Sequence, residues 1–171
     1  MAAFDACGFD HALVDPRSVE AHVGILIEDI EELLCDPRAS IRPRDDRWSI
    51  HEYAAHCRDV LIAIRERLIG ASLVDDFRST PIYRDERVAM RLYALENTEQ
   101  LITSLKVAHS LLGNVIILLP DSAFSRTMDY SALMPTPVTL QWVAAQAQHE
   151  VYHHTLDMRE NLVLLGENQS L

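Results

Sequence analysis

The sequence has few cysteines and no excess of basic residues. Its three cysteines, Cys7, Cys35 and Cys57, are widely spaced and form no C-x-x-C pair. An odd number of scattered cysteines argues against a disulfide framework and is typical of reduced thiols. The 15 basic residues are outnumbered by 26 acidic ones, which gives a formal net charge of -11. Such a charge repels nucleic acid and anionic membrane surfaces, so we expect a small-molecule substrate or a protein partner instead.

Targeting and membrane-spanning patterns are also missing from the sequence. The first residues, MAAFDACGFDHALVDP, show no basic region followed by an apolar one, and no run reaches the roughly 18 apolar residues that a membrane span needs. We therefore expect a cytoplasmic protein with no membrane partner. The 171 residues fit a single domain, predicted over 1–171 with residues 1–15 as an N-terminal extension.

Apolar residues at helical spacing predict four helices, and no strand-type alternation or internal repeat competes with them. Ser49 and Glu52 have the spacing of a capping box at the start of the second helix. Two long connections, 71–83 and 120–137, separate the later helices, and long ordered loops are often functional. Four amphipathic helices of this length predict an all-α, antiparallel four-helix bundle. The predicted helices cover about 16–36, 50–70, 85–118 and 138–165. The first begins after the start signal Asp15-Pro16 and is stopped by Pro37, and the second ends near Gly70. The third is bent or interrupted at Gly113, and the fourth is stopped by Gly166.

Ionisable residues cluster in the last predicted helix. They form two i, i+4 pairs, in which two side chains one turn apart can converge on one metal ion. One pair is His149 with His153 and the other is Glu150 with His154. Asp157, one turn further on, could orient a ligating imidazole through its second ring nitrogen.

A third ligand must come from another helix, and His56 is the best candidate. It lies beside the apolar stripe of the second predicted helix, between Ala55 and Cys57, where an unpaired imidazole would be costly. His51, more than one turn earlier, is expected to face solvent. Trp48 is expected to be a core or inter-helix residue, and Cys57 a small buried hydrophobe.

A helical wheel compares the two pairs of the last helix. At about 100° per residue, Glu150 and His154 lie at one border of the main apolar face. His149 lies nearly opposite the centre of that face, and His153 is little closer. A second, weaker apolar stripe runs beside His149, so the wheel favours Glu150 with His154 and leaves the other pair open.

The segments RWSIHEYAAHC at 47–57 and HEVYHHTLDM at 149–158 resemble the DinB-like superfamily, which includes thiol-dependent transferases and mycothiol-dependent maleylpyruvate isomerases. Members typically carry Trp-Ser/Thr at the start of the second helix and a histidine eight residues after the Trp, as Trp48 and His56 do here. The late helix of the isomerase-like branch resembles E-x-x-x-H-x-x-D, which Glu150, His154 and Asp157 match.

The other branch of the superfamily carries H-x-x-x-H in the late helix, and His149 and His153 match it. Asp157 then stands where an aliphatic residue is expected, which is a departure from that branch. With His154 as the second ligand, the residue at that place is Met158, which fits. The register therefore favours Glu150 with His154 as well.

The resemblance implies a four-helix bundle with a three-ligand metal site, and often a homodimer. The favoured ligands are His56, Glu150 and His154, a 2-His-1-carboxylate set with open coordination positions, and the alternative pair is His149 with His153. Zinc or nickel would suit these ligands. A thiol-dependent transferase or isomerase would use the metal to bind a low-molecular-weight thiol, lower its pKa and present the thiolate to a small electrophile. The alternative is a non-catalytic, metal-binding stress-response protein that acts by dimerisation.

Overall fold

A computed structural model describes residues 7–130 and 136–167 and shows four long helices packed as a bundle. The predicted all-α four-helix bundle is confirmed. Two strands of two residues each, β1 (Thr127–Met128) and β2 (Val138–Thr139), pair antiparallel in the last connection. The helices are α1 (Val19–Leu34), α2 (Ile50–Leu73), the short α3 (Arg84–Ala89), α4 (Thr98–Leu118) and α5 (Leu140–Glu167).

Helices α1 and α2 follow one another along the chain but do not lie side by side in the bundle. Both α1 and α2 pack mainly against α4 and α5, so α1 and α2 lie on a diagonal. Helices α2 and α5 are antiparallel: the Trp48 carbonyl before α2 accepts a hydrogen bond from Asn161 near the end of α5, while His56 further along α2 meets Glu150. This antiparallel pair carries the candidate site.

Helices α2 and α4 run in the same direction, which explains the long connection between them. The start of α2 faces the start of α4, and Ile62 faces Leu111 further along. With 24 residues, α2 is about 36 Å long. The chain must return by this distance before α4 begins, and residues 74–97 do so through α3 and a 3-10 turn at Leu92–Leu95.

The prediction of one continuous third helix over 85–118 is therefore wrong in its first part. Arg91 has a φ of 56° in the left-handed region, which ends the short helical segment. Asn97 then caps α4 in a capping box with Gln100. The sequence carried this second start signal, but the apolar periodicity across it concealed the break.

Three glycines that were expected to end or bend helices lie inside continuous ones. At Gly113, a Cβ would come within 2.6 Å of the Glu20 Cγ, so the glycine allows α1 to approach α4 closely. At Gly70, a Cβ would overlap the ring of Phe77, which folds back over α2. Helix α2 therefore continues to Leu73, and α5 likewise includes Gly166. Gly70 and Gly113 thus serve packing within the bundle.

Among the described residues, one helix is long and apolar enough to cross a membrane by length and composition alone. It is Thr98–Leu118, with a mean hydropathy of 1.6. The sequence was expected to contain no stretch that could span a membrane, and by length and composition this helix departs from that expectation. A single such helix is weak evidence of a span, and α4 packs against α1 and α2, with Leu101, Leu105 and Leu112 buried in the bundle core.

Candidate metal centre

The antiparallel packing of α2 against α5 brings two buried histidines and a partly buried glutamate together. Donor atoms of His56, Glu150 and His154 all lie within 4.8 Å of one another. The Oε2 atom of Glu150 is 3.4 Å from Nε2 of His154 and 3.8 Å from Nε2 of His56. The sequence placed the favoured trio on two helices, and the structure joins its members in one cluster.

These donors fit a divalent cation. Imidazole nitrogens and carboxylate oxygens bind zinc at about 2.0–2.2 Å, so two donors on the same ion lie at most about 4.4 Å apart. The distances from Glu150 to the two histidines, 3.4 and 3.8 Å, lie below this limit. In addition, Nε2 of His154 is buried and forms no hydrogen bond of normal geometry with any residue in 7–130 or 136–167. A buried imidazole nitrogen without such a bond is costly, and coordination to an ion removes that cost.

Asp157 determines the orientation of His154. Its Oδ2 atom lies 3.0 Å from Nδ1 of His154. The same hydrogen bond contributes to holding the pKa of Asp157 below its ordinary value, against the effect of its burial. Because an ionised carboxylate only accepts hydrogen bonds, Nδ1 carries the proton and Nε2 is directed at Glu150 and His56.

Two residues outside the predicted site, Gln146 and Arg47, hold the carboxylates in place. Gln146 donates from Nε2 to Oε1 of Glu150 at 2.6 Å, which leaves Oε2 for the histidines. Arg47 donates to the Asp157 backbone carbonyl at 3.1 Å and lies 3.6 Å from its Oδ1. The i, i+4 spacing of Gln146 and Glu150 was a signal for the first contact. No sequence pattern indicated the second.

The charges of the cluster are set by burial and by its own contacts. Burial opposes ionisation of Glu150, but the imidazoles of His154 and His56 outweigh it and hold the pKa of Glu150 well below its ordinary value. Burial likewise opposes protonation of His154, but Asp157 and Glu150 prevail and raise its pKa. Burial lowers the pKa of His56. The two carboxylates are therefore ionised, and a divalent cation would compensate their charge.

Aromatic side chains surround the cluster on its bundle side. The Trp48 ring stands edge-on to His56 at 5.4 Å between centroids, and the Tyr53 ring lies 5.2 Å from His154. Both rings pack against the bundle core, in agreement with the prediction for Trp48. Cys57 is buried as predicted, and burial raises the pKa of its thiol well above the ordinary value. The cluster thus has a largely apolar wall.

On its other side the cluster adjoins a cavity of about 410 Å³. His56 and Glu150 form part of its wall, and residues 81–84 from the long connection form another part. Val60, Glu86, Arg67 and Tyr130 complete it, and the Arg67 guanidinium stacks 4.4 Å from the centroid of the Tyr130 ring. The cavity is large enough for a small ligand that reaches the ion-binding donors.

The alternative pair lies on the side of α5 that the N-terminal segment covers, although His153 is also grouped with His154 and Asp157. His149 and His153 are grouped with Cys7, and their donor atoms lie within 4.8 Å of one another. Within the described parts of the chain, neither joins the group around His56. His149 is only 3% exposed although it lies opposite the main apolar face of α5, because Phe9 and His11 of the N-terminal segment cover it.

His51 was expected to face solvent, and this expectation is wrong. The side chain is buried, and the segment before α4, including Glu96 and Asn97, lies against it. Its backbone N–H donates to the Ala39 carbonyl at 2.9 Å, so the loop after α1 also folds onto this point. Neither neighbour is close to His51 in the sequence, which is why the helical pattern alone misplaced it.

The fold and the cluster together define an all-α bundle with a His–Glu–His site between two antiparallel helices. The chain belongs to the DinB superfamily, whose family model matches residues 27–158. This range contains the whole cluster, and the match confirms the resemblance noted in the sequence. A search of curated proteins gave no match.

Among solved structures, the chain is similar to YfiT from Bacillus subtilis. The TM-score is 0.76 at 15% sequence identity, and the likeness covers 88% of this chain and 86% of YfiT. YfiT is described as a probable metal-dependent hydrolase with an unusual four-helix bundle topology. At this level of identity the likeness shows a shared fold.

Proposed function

We propose that this protein is a divalent-metal-dependent enzyme in which His56, Glu150 and His154 hold the ion. The observation that carries the proposal is the convergence of three donor side chains, two of which, His56 and Glu150, line a cavity. The description of YfiT as a probable metal-dependent hydrolase supports it. A bound zinc or nickel ion would supply a Lewis acid that lowers the pKa of a low-molecular-weight thiol or of water.

The surrounding residues keep the donors in position. Asp157 holds the proton of His154 on Nδ1, and Gln146 holds one oxygen of Glu150, so that the other donor atoms face a common point. The rings of Trp48 and Tyr53 exclude water from the bundle side of the cluster. A reacting molecule therefore has to enter from the cavity.

The nucleophile has to come from outside the protein. Cys57, the cysteine next to His56, is buried, and its raised pKa disfavours the thiolate. None of the residues described around the cavity is a cysteine. A small thiol is the nucleophile that the E-x-x-x-H-x-x-D pattern of the late helix favours, and we propose it ahead of water.

The cavity wall also favours a class of electrophile. Arg67 is 6% exposed, its Nη2 donates to the Thr80 carbonyl at 3.1 Å, and in the described ranges it has no ion pair with a carboxylate. A buried guanidinium without a carboxylate partner is suited to bind an anion. We therefore propose that the substrate is a small anionic electrophile, such as a carboxylic acid with an activated double bond.

Metal analysis of protein purified without a metal-affinity tag tests the site. The His56→Ala variant and the Glu150→Ala/His154→Ala double variant should each lose the ion of this site, with His22→Ala, an exposed histidine of α1, as the matched control. Retention of this ion in folded His56→Ala protein would refute the ligand assignment.

A thiol-consumption assay with small electrophiles tests the reaction. Thiol loss that depends on added zinc or nickel, and that disappears in His56→Ala, supports the enzyme. Stoichiometric metal at this site without loss of thiol or hydrolysis of the electrophile would refute it and favour the non-catalytic alternative.

We also propose that the protein forms a homodimer, as the superfamily resemblance implies. The exposed faces of α2 and α4 form an apolar groove, with Ile62 44%, Val107 53% and Leu111 42% exposed. Burying these side chains against a second copy would remove them from water. Light scattering should give twice the chain mass for the wild type and one chain mass for Leu111→Glu; a monomeric wild type would refute the dimer.

A further inference from the structure

We infer a second metal site, formed by Cys7, His149 and His153, between the N-terminal segment and the outer face of α5. A thiol and two imidazoles converge here. Cys7 and His149 are 142 residues apart in the sequence, and Sγ of Cys7 lies 3.3 Å from Nε2 of His149. All three donors lie within 4.8 Å of one another. None of them belongs to the His56, Glu150 and His154 cluster, so this site is independent of the proposed function.

The distances suit a tetrahedral ion after a small adjustment. With zinc–sulfur and zinc–nitrogen bonds of about 2.3 and 2.0–2.1 Å, neighbouring donors on one ion are about 3.3–3.6 Å apart. The Cys7–His149 pair already has this spacing. His149 is fixed by burial, whereas the His153 side chain is 36% exposed and has room to turn from Asp157, whose Oδ2 lies 3.6 Å from its Nε2.

The N-terminal segment is held so that Cys7 stays beside α5. The His11 ring stacks on Trp142 at 4.7 Å with an interplanar angle of 11°, and its Nε2 donates to Oε1 of Gln146 at 2.6 Å. Phe9 lies 5.1 Å from the ring of His149 and 6.3 Å from that of Tyr152. These contacts order the segment before any ion binds, which lowers the entropic cost of forming the site.

Gln146 links the two sites. Its amide oxygen accepts from His11 beside the second site, and its amide nitrogen donates to Glu150 in the first. Each contact fixes the orientation of the amide for the other. A change in the position of the N-terminal segment is therefore transmitted to the carboxylate of the first site through one side chain.

The donors of the second site select a softer ion than those of the first. A thiolate with two imidazoles suits zinc, cobalt or copper, whereas a carboxylate with two imidazoles is a harder set. On binding, the sulfur–metal bond forms, and the thiol proton is released to solvent. The ion would cross-link the N-terminal segment, residues 7–15, to α5, which is a structural role that needs no substrate.

Cobalt spectroscopy on the full-length, metal-free protein tests this inference. A thiolate bound to Co²⁺ gives an intense sulfur-to-metal charge-transfer band in the near ultraviolet, which a His–Glu–His site does not give. Titration with Co²⁺ under reducing, anaerobic conditions should produce this band in the wild type. Absence of the band would overturn the proposal.

Variants identify the source of the band. Cys7→Ser should abolish it, whereas Cys35→Ser, which changes an exposed cysteine, should leave it unchanged. His153→Ala should weaken Co²⁺ binding at this site by about 100-fold, because a direct ligand costs at least as much as the outer-shell partners whose loss costs 10–100-fold. A band that survives in Cys7→Ser would overturn the assignment.

A further variant separates this site from the first. In His56→Ala the charge-transfer band should persist while the total number of bound ions falls from two to one. Loss of the band in His56→Ala protein whose circular dichroism is unchanged would show that the sulfur site does not exist independently, and would overturn the proposal. Because the readout is optical, its result does not depend on whether the first site is catalytic.

Discussion

Oδ2 of Asp157 lies 3.0 Å from Nδ1 of His154, and this contact decides which ring nitrogen faces Glu150 and His56. We predict that Asp157→Asn weakens zinc binding at the His56 site by about 10–100-fold, the usual loss when an outer-shell partner of a ligating histidine is removed. Isothermal titration of the metal-free protein measures the change.

Glu160→Gln is the matched control for this substitution. Glu160 pairs with the same Arg47 at 2.7 Å, but its side chain is exposed and touches none of the ligands. We expect its zinc affinity to equal that of the wild type. If Asp157→Asn binds zinc as tightly as Glu160→Gln does, Asp157 does not support the site.

The affinity for zinc should rise with pH. Burial opposes the charged form of His154, but Asp157 and Glu150 raise its pKa above the ordinary 6.5, so the metal-free protein keeps a proton that zinc must displace. Below this raised pKa the affinity should increase by about tenfold per pH unit for the one proton released, and it should level off above it.

Titrations in buffers of different ionisation enthalpy count the released proton. Asp157→Asn removes a group that raises the pKa of His154, so its window of pH dependence should move to lower pH. His56, whose pKa burial lowers, should add no proton release in the same window. Zinc affinity that stays constant across the window would contradict the assignment of His154 as a ligand.

Arg67 should distinguish anionic from neutral substrates. Replacing Arg67 by Met removes a buried guanidinium whose hydrogen bonds to an anion are worth about 1.5–3 kcal/mol, which corresponds to roughly 10–150-fold in binding. We expect the KM of an unsaturated carboxylic acid to rise accordingly and that of its neutral amide to stay within about twofold.

Two controls accompany this prediction. Arg84→Met removes a more exposed guanidinium at the same cavity and should have a smaller effect. Thermal unfolding of Arg67→Met should be measured alongside, because Arg67 also contacts Thr80 and Tyr130. Equal losses for acid and amide would show that Arg67 does not recognise charge.

Asn161 should contribute to stability. It is fully buried and donates from Nδ2 to the Trp48 carbonyl at 2.8 Å, while its Oδ1 accepts from Nε of Arg47. Asn161→Ala leaves these groups without their partner, which typically costs about 1–3 kcal/mol. Urea denaturation should show this loss, and Asn114→Ala, at an exposed position of α4, should change the free energy of unfolding by less than about 0.5 kcal/mol.

Local features of the fold could be predicted because they depend on neighbours along the chain. The capping box of Ser49 and Glu52 starts α2 as expected, and Ser49 Oγ accepts from the Glu52 N–H. The apolar stripe of the first helix is buried throughout. The i, i+4 spacing placed Glu150 and His154 on one face of α5, and a helix keeps that relation wherever it packs.

Features that depend on helix order in space could not be predicted from periodicity. The parallel course of α2 and α4 requires the chain to return along the bundle, and this breaks the predicted third helix around Arg91 and Asn97. A periodic pattern reports which side of a helix is apolar. It does not report which helix that side will meet, or in which direction.

The sequence by itself predicted the four-helix bundle, although it placed the start of the third long helix too early, and it predicted His56, Glu150 and His154 as ligands with Asp157 in a supporting role. The tertiary structure decided that His149 and His153 belong to another cluster. Cys7 reaches them only because the N-terminal segment packs on α5 through His11, a contact across most of the chain. Donor spacing within a helix is fixed by helical geometry, whereas a donor from a distant segment is brought in by packing alone.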